Sequence, residues 1–424
     1  MMDTEKKSVI TTMREQINEI AKTPEEVKKS EGMLRVAEEQ SRRKKINVTV
    51  QKKSLKKFVV LWKNRFKYGV HWSKPWYPFR LARNIFLGKL FHFLGIKKFI
   101  LRGIEFGLTY KCNFRCNHCL CARIEESATR REMEPNDYER IVKEAMKLGC
   151  TTFGLEGGEP FVSPVWEEVI EACQPHYNHI IISTNGYLFD DVKAKRCAEL
   201  GVDTINFSLD SGYAELHDLF RRKKGSYQKV IEGIALCRKY KINPLINTVV
   251  HKDNLYTDHF RTLLDFCERE GLLINTLFAK GVGNFRDNNS MLDDDDQAAY
   301  RKLVAGYSCV QRHLNYNYGK QFGCPGTKEM INMTPYGDVM NCANMHIYFG
   351  NVMEEPLQII RDRALKKTPF CRYDACFLAE NEDFMNVFYS EVDKKRHITI
   401  EEFRTALRAY EDAQGKVLYP ELRK

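Results

Sequence analysis

Residues 58–99 are rich in aromatics, yet they lack the roughly 20 consecutive apolar residues that a bilayer span requires, which excludes a transmembrane helix there. The opening stretch MMDTEKKSVITTMREQ has no apolar run behind its charges, so no signal peptide is expected. Residues 1–57 contain no aromatic side chain and no apolar periodicity strong enough to make a core of their own. Over the first quarter of the chain basic residues outnumber acidic ones. Residues 1–104 hold 25 Lys and Arg against 9 Asp and Glu, so the net charge of +11 belongs to the N-terminal quarter. Without a secretory signal, the fourteen cysteines point to a reducing, cytoplasmic compartment. Persistent disulfides are rare there, which leaves metal binding, redox chemistry or core packing for the thiols.

The chain divides by composition. Residues 1–57 read as a charged helical, partly disordered extension, and 58–102 as a basic aromatic helical segment holding three of the four tryptophans. That segment suits either a helical layer on the next domain or an interfacial helix on anionic lipid, a peripheral contact at the membrane surface. No nucleic-acid-binding module accompanies its charge, and no nucleic acid partner is expected. From residue 103 short apolar runs alternate with amphipathic stretches: GIEFGLTY, TTFGLEGG, NHIIISTNG, TINFSLD, PLINTVVH and LINTLFA read as strands, with five helices between them. Such a βα repeat over 103–310 implies a parallel sheet, either open or closed into a complete or partial barrel. In each case the site forms at the C-terminal strand ends. The polar signals GGEP, STNG, SLDS and HKDN all fall there.

Cys112, Cys116 and Cys119 follow the first strand in a C-x3-C-x2-C arrangement, with Cys121 two residues on. A tetrahedral zinc ion would need a fourth ligand, and Cys121 is an awkward one. An iron–sulfur cluster can leave one iron without a protein ligand. The spacing, His118 before the last Cys, and GGEP after the second strand together resemble the radical S-adenosylmethionine (SAM) superfamily. The resemblance implies a partial (β/α)6 barrel, with three cysteines holding a [4Fe-4S] cluster whose open iron chelates SAM. One electron, from a donor such as flavodoxin or ferredoxin, then releases a 5′-deoxyadenosyl radical that abstracts hydrogen from substrate. Carried over position by position, Gly157, Gly158, Glu159 and Pro160 are expected at the SAM amino group. Ser183, Asn185, Ser208 and Asp210 are expected at ribose and methionine, and Arg221, or its neighbour Arg222, at the carboxylate.

Beyond the barrel, Cys324 and Cys342 flank a PYGD turn, and Cys371 and Cys376 follow. The C-x12-G-x4-C unit is similar to the start of SPASM and twitch auxiliary domains, which implies a second, auxiliary [4Fe-4S] cluster on these four thiols within a small α+β module over 311–380. Zinc on the same four is the plainer alternative. A helical tail is expected over 381–424. The remaining cysteines, Cys150, Cys173, Cys197, Cys237, Cys267 and Cys309, read as buried packing thiols. LDDDDQ reads as acidic capping of a helix, and EVDKKRHITIEEF lacks the loop glycine of a calcium site. The expected activity is oxidation or modification of an unidentified organic substrate, a small molecule or sugar. Peptide or lipid-linked substrates are the rivals, and a zinc-stabilised binding protein is the non-enzymatic reading. No residue is assigned as a catalytic acid or base.

Overall fold

The computed structural model describes residues 9–21, 23–43, 74–123, 130–286, 290–312, 315–316, 322–372, 375–392 and 398–422. Residues 44–73, including Trp62 and Trp72 of the basic aromatic segment, lie outside the described residues, as do 393–397 of the calcium-like stretch. The chain opens with α1 (Val9–Glu15), α2 (Ile17–Ile20), α3 (Pro24–Arg43) and α4 (Trp76–Phe93). A βα succession follows: β1 (Gly103–Thr109), α5 (Pro135–Lys147), β2 (Thr152–Gly157), α6 (Trp166–Ala172), β3 (His179–Thr184), α7 (Asp191–Glu199) and β4 (Thr204–Ser208). It continues through α8 (Ala214–Arg221), α9 (Ser226–Lys239), β5 (Asn243–Val250), α10 (Lys252–Leu255), α11 (Asp258–Glu270) and β6 (Leu273–Phe278).

Strands β1 to β6 lie side by side in chain order, each neighbouring pair parallel. This is the parallel core that the βα rhythm predicts, in the six-stranded partial-barrel form that the resemblance implies. Its helix-facing side is set by alternation: Ile104, Phe106, Phe153, Leu155, Ile180, Ile182, Ile205 and Phe207 are fully buried. Tyr138 meets Phe106 edge-on at 5.1 Å, and Phe106 stacks on Phe153 at 6.0 Å. In α5 the buried residues Tyr138, Ile141, Val142 and Ala145 recur at helical spacing, which docks one face of the helix on the sheet. The residues between, including Glu105, Glu156, Ser183, Asn206, Asn247 and Asn275, point to the opposite, concave face and form the lumen.

Two further parallel strands flank the six. After α12 (Asp294–Val304), β7 (Val310–Arg312) joins β6. A separate hairpin, β8 (Asn315–Tyr316) with β9 (Phe322–Gly323), leads to β10 (Met330–Met333), which pairs with the free edge of β1. Then β11 (Asp338–Met340) and β12 (Ile347–Asn351) add antiparallel. After α13 (Leu357–Lys367) and α14 (Glu382–Val392), β13 (Ile398–Thr399) closes the order beside β12 and leads into α15 (Ile400–Gln414). The cysteine-rich module is therefore an extension of the barrel sheet, eleven strands in all, and the C-terminal helices share its core through Phe384, Phe388, Phe403 and Leu407.

The N-terminal helices dock on the barrel. Val9, Ile10, Met13, Ile17, Ile20, Leu34 and Ala37 are buried against Leu216, Leu219, Phe220, Ala279 and Phe285, forming a second apolar cluster that these helices share with the barrel. Its residues are too sparse along the chain to read as a core until the barrel supplies the other half. Asp293 and Asp296 cap α12 reciprocally, as the LDDDDQ reading anticipated.

Candidate active site

Beyond Thr109 the chain enters the loop that carries Cys112, Cys116 and Cys119, ending in a short 3-10 turn over Leu120–Arg123. Two clasps hold this loop. In the first, Gly158 N–H donates to Thr109 O at 2.7 Å and Glu159 N–H to Lys111 O at 3.0 Å. A Cβ on Gly157 would stand 2.4 Å from Thr109 O, and one on Gly158 2.2 Å from Lys111 O. The glycines of GGEP are thus required by the crossing of two backbones. In the second clasp, Asn284 donates its side-chain amide to Cys116 O at 2.8 Å and its N–H to Cys119 O at 3.0 Å. Gly283 lies beneath with φ +58°, its Cβ position 2.2 Å from Cys119 O.

The carried-over residues gather around the same loop. Glu159 is fully buried, and its carboxylate accepts from Thr184 Oγ1 at 2.7 Å, Asn185 N–H at 2.9 Å and Phe161 N–H at 3.3 Å. Burial outweighs these donors and raises its pKa to about 7. Its oxygens tie the end of β2 to the end of β3. Pro160 opens the following 3-10 turn. Asn185 donates to Asn113 Oδ1 at 2.8 Å and approaches Cys112 Sγ at 4.0 Å. Asp210 accepts from Arg221 Nε at 2.7 Å and from Val249 N–H at 3.1 Å, while Arg221 Nη1 reaches Cys116 Sγ at 3.9 Å. His118 stacks on Phe220 with ring centroids 4.6 Å apart. Ser183 and Ser208 sit at the lumen-facing ends of β3 and β4, and Ser183 Oγ accepts from Asn206 at 3.5 Å. Of the HKDN signal, Asp253 turns away to accept Val9 N–H at 2.8 Å, fastening α1.

Burial raises the Cys112 thiol and lifts Cys116 to about 12, with Arg221 pulling both back down. Such thiols stay protonated until a cation stabilises the thiolate. Cys121 hydrogen-bonds Cys119, lies 3.7 Å from Gly157 O and senses Glu156 in the lumen.

In the lumen Asn332 of β10 pairs with Glu105 in register and donates to Glu156 Oε1. Burial raises both carboxyls, and their mutual repulsion helps bring Glu156 to about 8. Both carboxyls thus hold a proton more tightly than an exposed glutamate does. Asn275 donates to Asn247 Oδ1 at 3.1 Å, and Asn206 Oδ1 is buried without a partner among the described residues. Sequence reading missed the carboxyls, since GIEFG and GLEGG look like apolar strands interrupted once. It missed Gly283 and Asn284 as well, although KGVGNF occupies the same strand-end position as the motifs it recognised.

In the second cysteine set, Cys324 and Cys376 act electrostatically on Cys342, and Cys376 on Cys324, so these three are neighbours. The charges acting on Cys371 are Glu421, Lys328 and Lys97. Lys280, at the end of β6, draws down the Cys342 thiol, although burial still lifts it to about 12. Tyr389 OH donates to Leu378 O at 3.0 Å and accepts Gly281 N–H at 3.1 Å, fixing α14 to the same β6 loop. Cys150, Cys173, Cys197, Cys237, Cys267 and Cys309 are all buried.

Among the described residues no three His, Cys, Asp or Glu side chains converge on one ion. A cubane instead spreads its thiolates by its own width. The first trio suits such a group: soft donors, N–H groups of Phe114 and Arg221 directed at sulfur, and the buried Asn113 Nδ2 and His118 Nδ1 without partners among the described residues.

Residues 107–267 match the family model of the Radical SAM superfamily. The chain is 24% identical over 291 residues to the AdoMet-dependent heme synthase of Methanosarcina barkeri, aligning 62% of this chain with 82% of that protein. It is 24% identical over 177 residues to a probable GTP 3′,8-cyclase of Methanocella arvoryzae, 42% of this chain against 56% of that one. Among solved structures, Streptococcus suis SuiB bound to precursor peptide SuiA has a TM-score of 0.52 over 62% of this chain and 64% of its own, at 17% identity, a likeness of fold. The chain thus spans less than two thirds of the cyclase and of SuiB.

Proposed function

With residues 107–267 forming a radical SAM domain, the chain is a radical SAM enzyme, and we propose that it oxidises or otherwise modifies a polar small molecule or sugar held in the barrel lumen. A [4Fe-4S] cluster on Cys112, Cys116 and Cys119 with SAM at its open iron supplies, when bound, a 5′-deoxyadenosyl radical able to take hydrogen from an unactivated carbon. A second cluster on Cys324, Cys342, Cys371 and Cys376 would supply an acceptor for one electron. The names of the relatives, a heme synthase and a GTP cyclase, span unlike substrates, so the lumen itself carries the choice.

The observation that favours a polar substrate is the set of side chains on the concave face. Ser183, Asn206, Asn247, Asn275 and Asn332 offer amide and hydroxyl groups suited to hydroxyls, and Asn206 Oδ1 has an acceptor to spare. Loss of a hydrogen atom from a CH–OH carbon leaves a proton and an electron still to be lost before a carbonyl forms. Glu105 and Glu156, both raised by burial, offer carboxyls basic enough to take that proton. Glu159 and Asn185 keep the cysteine loop in register with β3, and the Asp210–Arg221 pair sets a guanidinium beside Cys116, available to a carboxylate as well. Regular structure described before Gly103 is entirely helical, unlike the strand-rich leader-binding pattern expected of a peptide-modifying enzyme.

The test is anaerobic reconstitution with iron and sulfide, followed by incubation with dithionite and SAM. Formation of 5′-deoxyadenosine that requires Cys112, Cys116 and Cys119 supports the reading. Deuterium transfer into it from deuterated polyols or sugars, and not from peptides, supports the substrate class. A zinc-loaded, colourless protein would overturn both.

A further inference from the structure

Helix α4 has two unlike faces. One is fastened across the end of the barrel opposite the cysteines. Asn84 donates to Gly149 O at 2.6 Å, and Arg80 donates to Tyr177 O at 2.8 Å, Asn178 Oδ1 at 2.7 Å and Cys150 O at 2.7 Å. Tyr77 stacks against His179, the first residue of β3, at 5.9 Å. Just before the helix, buried Lys74 donates to Asn178 O at 3.0 Å and Gly201 O at 2.9 Å and pairs with Asp203. All these partners precede or begin β2, β3 and β4, so α4 closes the N-terminal end of the barrel.

The other face is apolar and bare. Trp76, Phe79, Phe86 and Phe93 are 60%, 70%, 63% and 86% exposed, and Leu94 and Ile96 continue the patch at 56% and 47%. The spacing from Trp76 through Phe79 and Phe86 to Phe93 places the four rings on one stripe of an 18-residue helix. Elsewhere among the described residues the exposed large apolar side chains are scattered along the sequence. The charge carried by this part of the sequence has one sign. From residue 40 to residue 104 the sequence contains no Asp or Glu and 18 Lys and Arg. Of these, Arg83, Lys89, Lys97 and Lys98 are exposed on or just after α4.

We propose that this face of α4 rests on an anionic lipid surface, with the rings at headgroup depth and the basic residues among the lipid phosphates. Charge complementarity chooses this occupant, because the exposed Arg83, Lys89, Lys97 and Lys98 beside the rings suit a surface carrying dense negative charge. The aromatic and aliphatic stripe chooses bilayer over nucleic acid, whose phosphates would answer the lysines but leave Phe86, Phe93, Leu94 and Ile96 in water. No described helix is long and apolar enough to cross a membrane, so α4 lies flat. Because it is bolted to the N-terminal strand ends, the lumen mouth faces away from the lipid. Substrate therefore enters from the aqueous side, in contrast to the lipid-linked alternative.

The full reconstituted chain is to be sedimented with vesicles of phosphatidylcholine alone and with vesicles containing phosphatidylglycerol. Binding is expected only to the anionic vesicles, falling as salt rises. The variant F79S/F86S/F93S, altered on exposed positions and checked for unchanged 5′-deoxyadenosine formation, should lose about tenfold or more in partitioning. R83Q/K89Q/K97Q/K98Q should flatten the salt dependence. Equal binding to neutral vesicles, no binding to either, or full binding by the aromatic variant would overturn the proposal. So would a concentration-dependent dimer that the aromatic variant abolishes, or duplex DNA displacing the chain from vesicles in a manner that depends on the aromatic stripe.

Discussion

Asn284 holds the backbone of Cys116 from 168 residues away, its amide 2.8 Å from the Cys116 carbonyl. The loop that carries Asn284 also presents Lys280 to Cys342 and Gly281 to Tyr389. One turn after β6 is therefore in touch with both cysteine sets.

This makes the clasp a sensitive place to perturb. Asn284→Ala removes the side-chain hydrogen bond, worth about 1 kcal/mol, and should reduce iron at the first site while leaving the fold intact. Gly283→Ala should be more severe, since its Cβ would stand 2.2 Å from Cys119 O at positive φ. Iron per chain and the visible absorption of reconstituted protein give the ranking. Equal iron in both variants and the parent would show that the clasp is not needed.

The first trio is tested directly. Replacing Cys112, Cys116 and Cys119 by Ala should abolish reductive SAM cleavage, and 5′-deoxyadenosine still formed by the variant would remove the assignment.

For the second set, the quadruple Ala variant at Cys324, Cys342, Cys371 and Cys376 should lose a large share of the iron. Because Cys324, Cys342 and Cys376 sense one another while Cys371 answers to Glu421, Lys328 and Lys97, Cys371→Ala should be the mildest of the four single changes. Zinc in place of iron at these thiols, measured by elemental analysis, would retire the auxiliary cluster.

The lumen carboxyls predict a pH dependence. An unfolded Glu titrates near 4.3, whereas burial and the nearby Glu105 carry Glu156 to about 8. Between these values the folded state binds more protons than the unfolded, so stability falls as pH rises through the window. Glu156→Gln should relieve that fall, gaining stability relative to the parent at pH 8 and little at pH 4. Denaturant melts at the two pH values measure this, and a gain of equal size at both would mean that the carboxyl is not raised.

Much of the barrel was legible because each strand is a short apolar run whose ends coincide with polar motifs. TINFSLD and LINTLFA became β4 and β6 almost residue for residue. The cysteine loop was legible by spacing. What the sequence concealed is whatever depends on distant partners. Met330–Met333 is an unremarkable tetrapeptide until β1 offers it an edge. Val9, Met13 and Ile17 look like incidental apolar residues until Phe220 and Phe285 face them. GGEP was read as serving a cofactor, and its glycines prove to be needed first by the backbone at Thr109 and Lys111.

The pairing of β1 with β10 has a kinetic consequence. On a chain made from its N-terminus, Gly103 can meet Thr152 early, but its other partner, Met330, is synthesised far later. The first barrel strand is thus among the last to gain both neighbours, and until then it presents an open edge bearing Glu105. That inward charge in mid-strand is a form of protection against pairing with a stranger. The same carboxyl that lines the lumen of the folded chain is, before β10 arrives, a charge on an open edge.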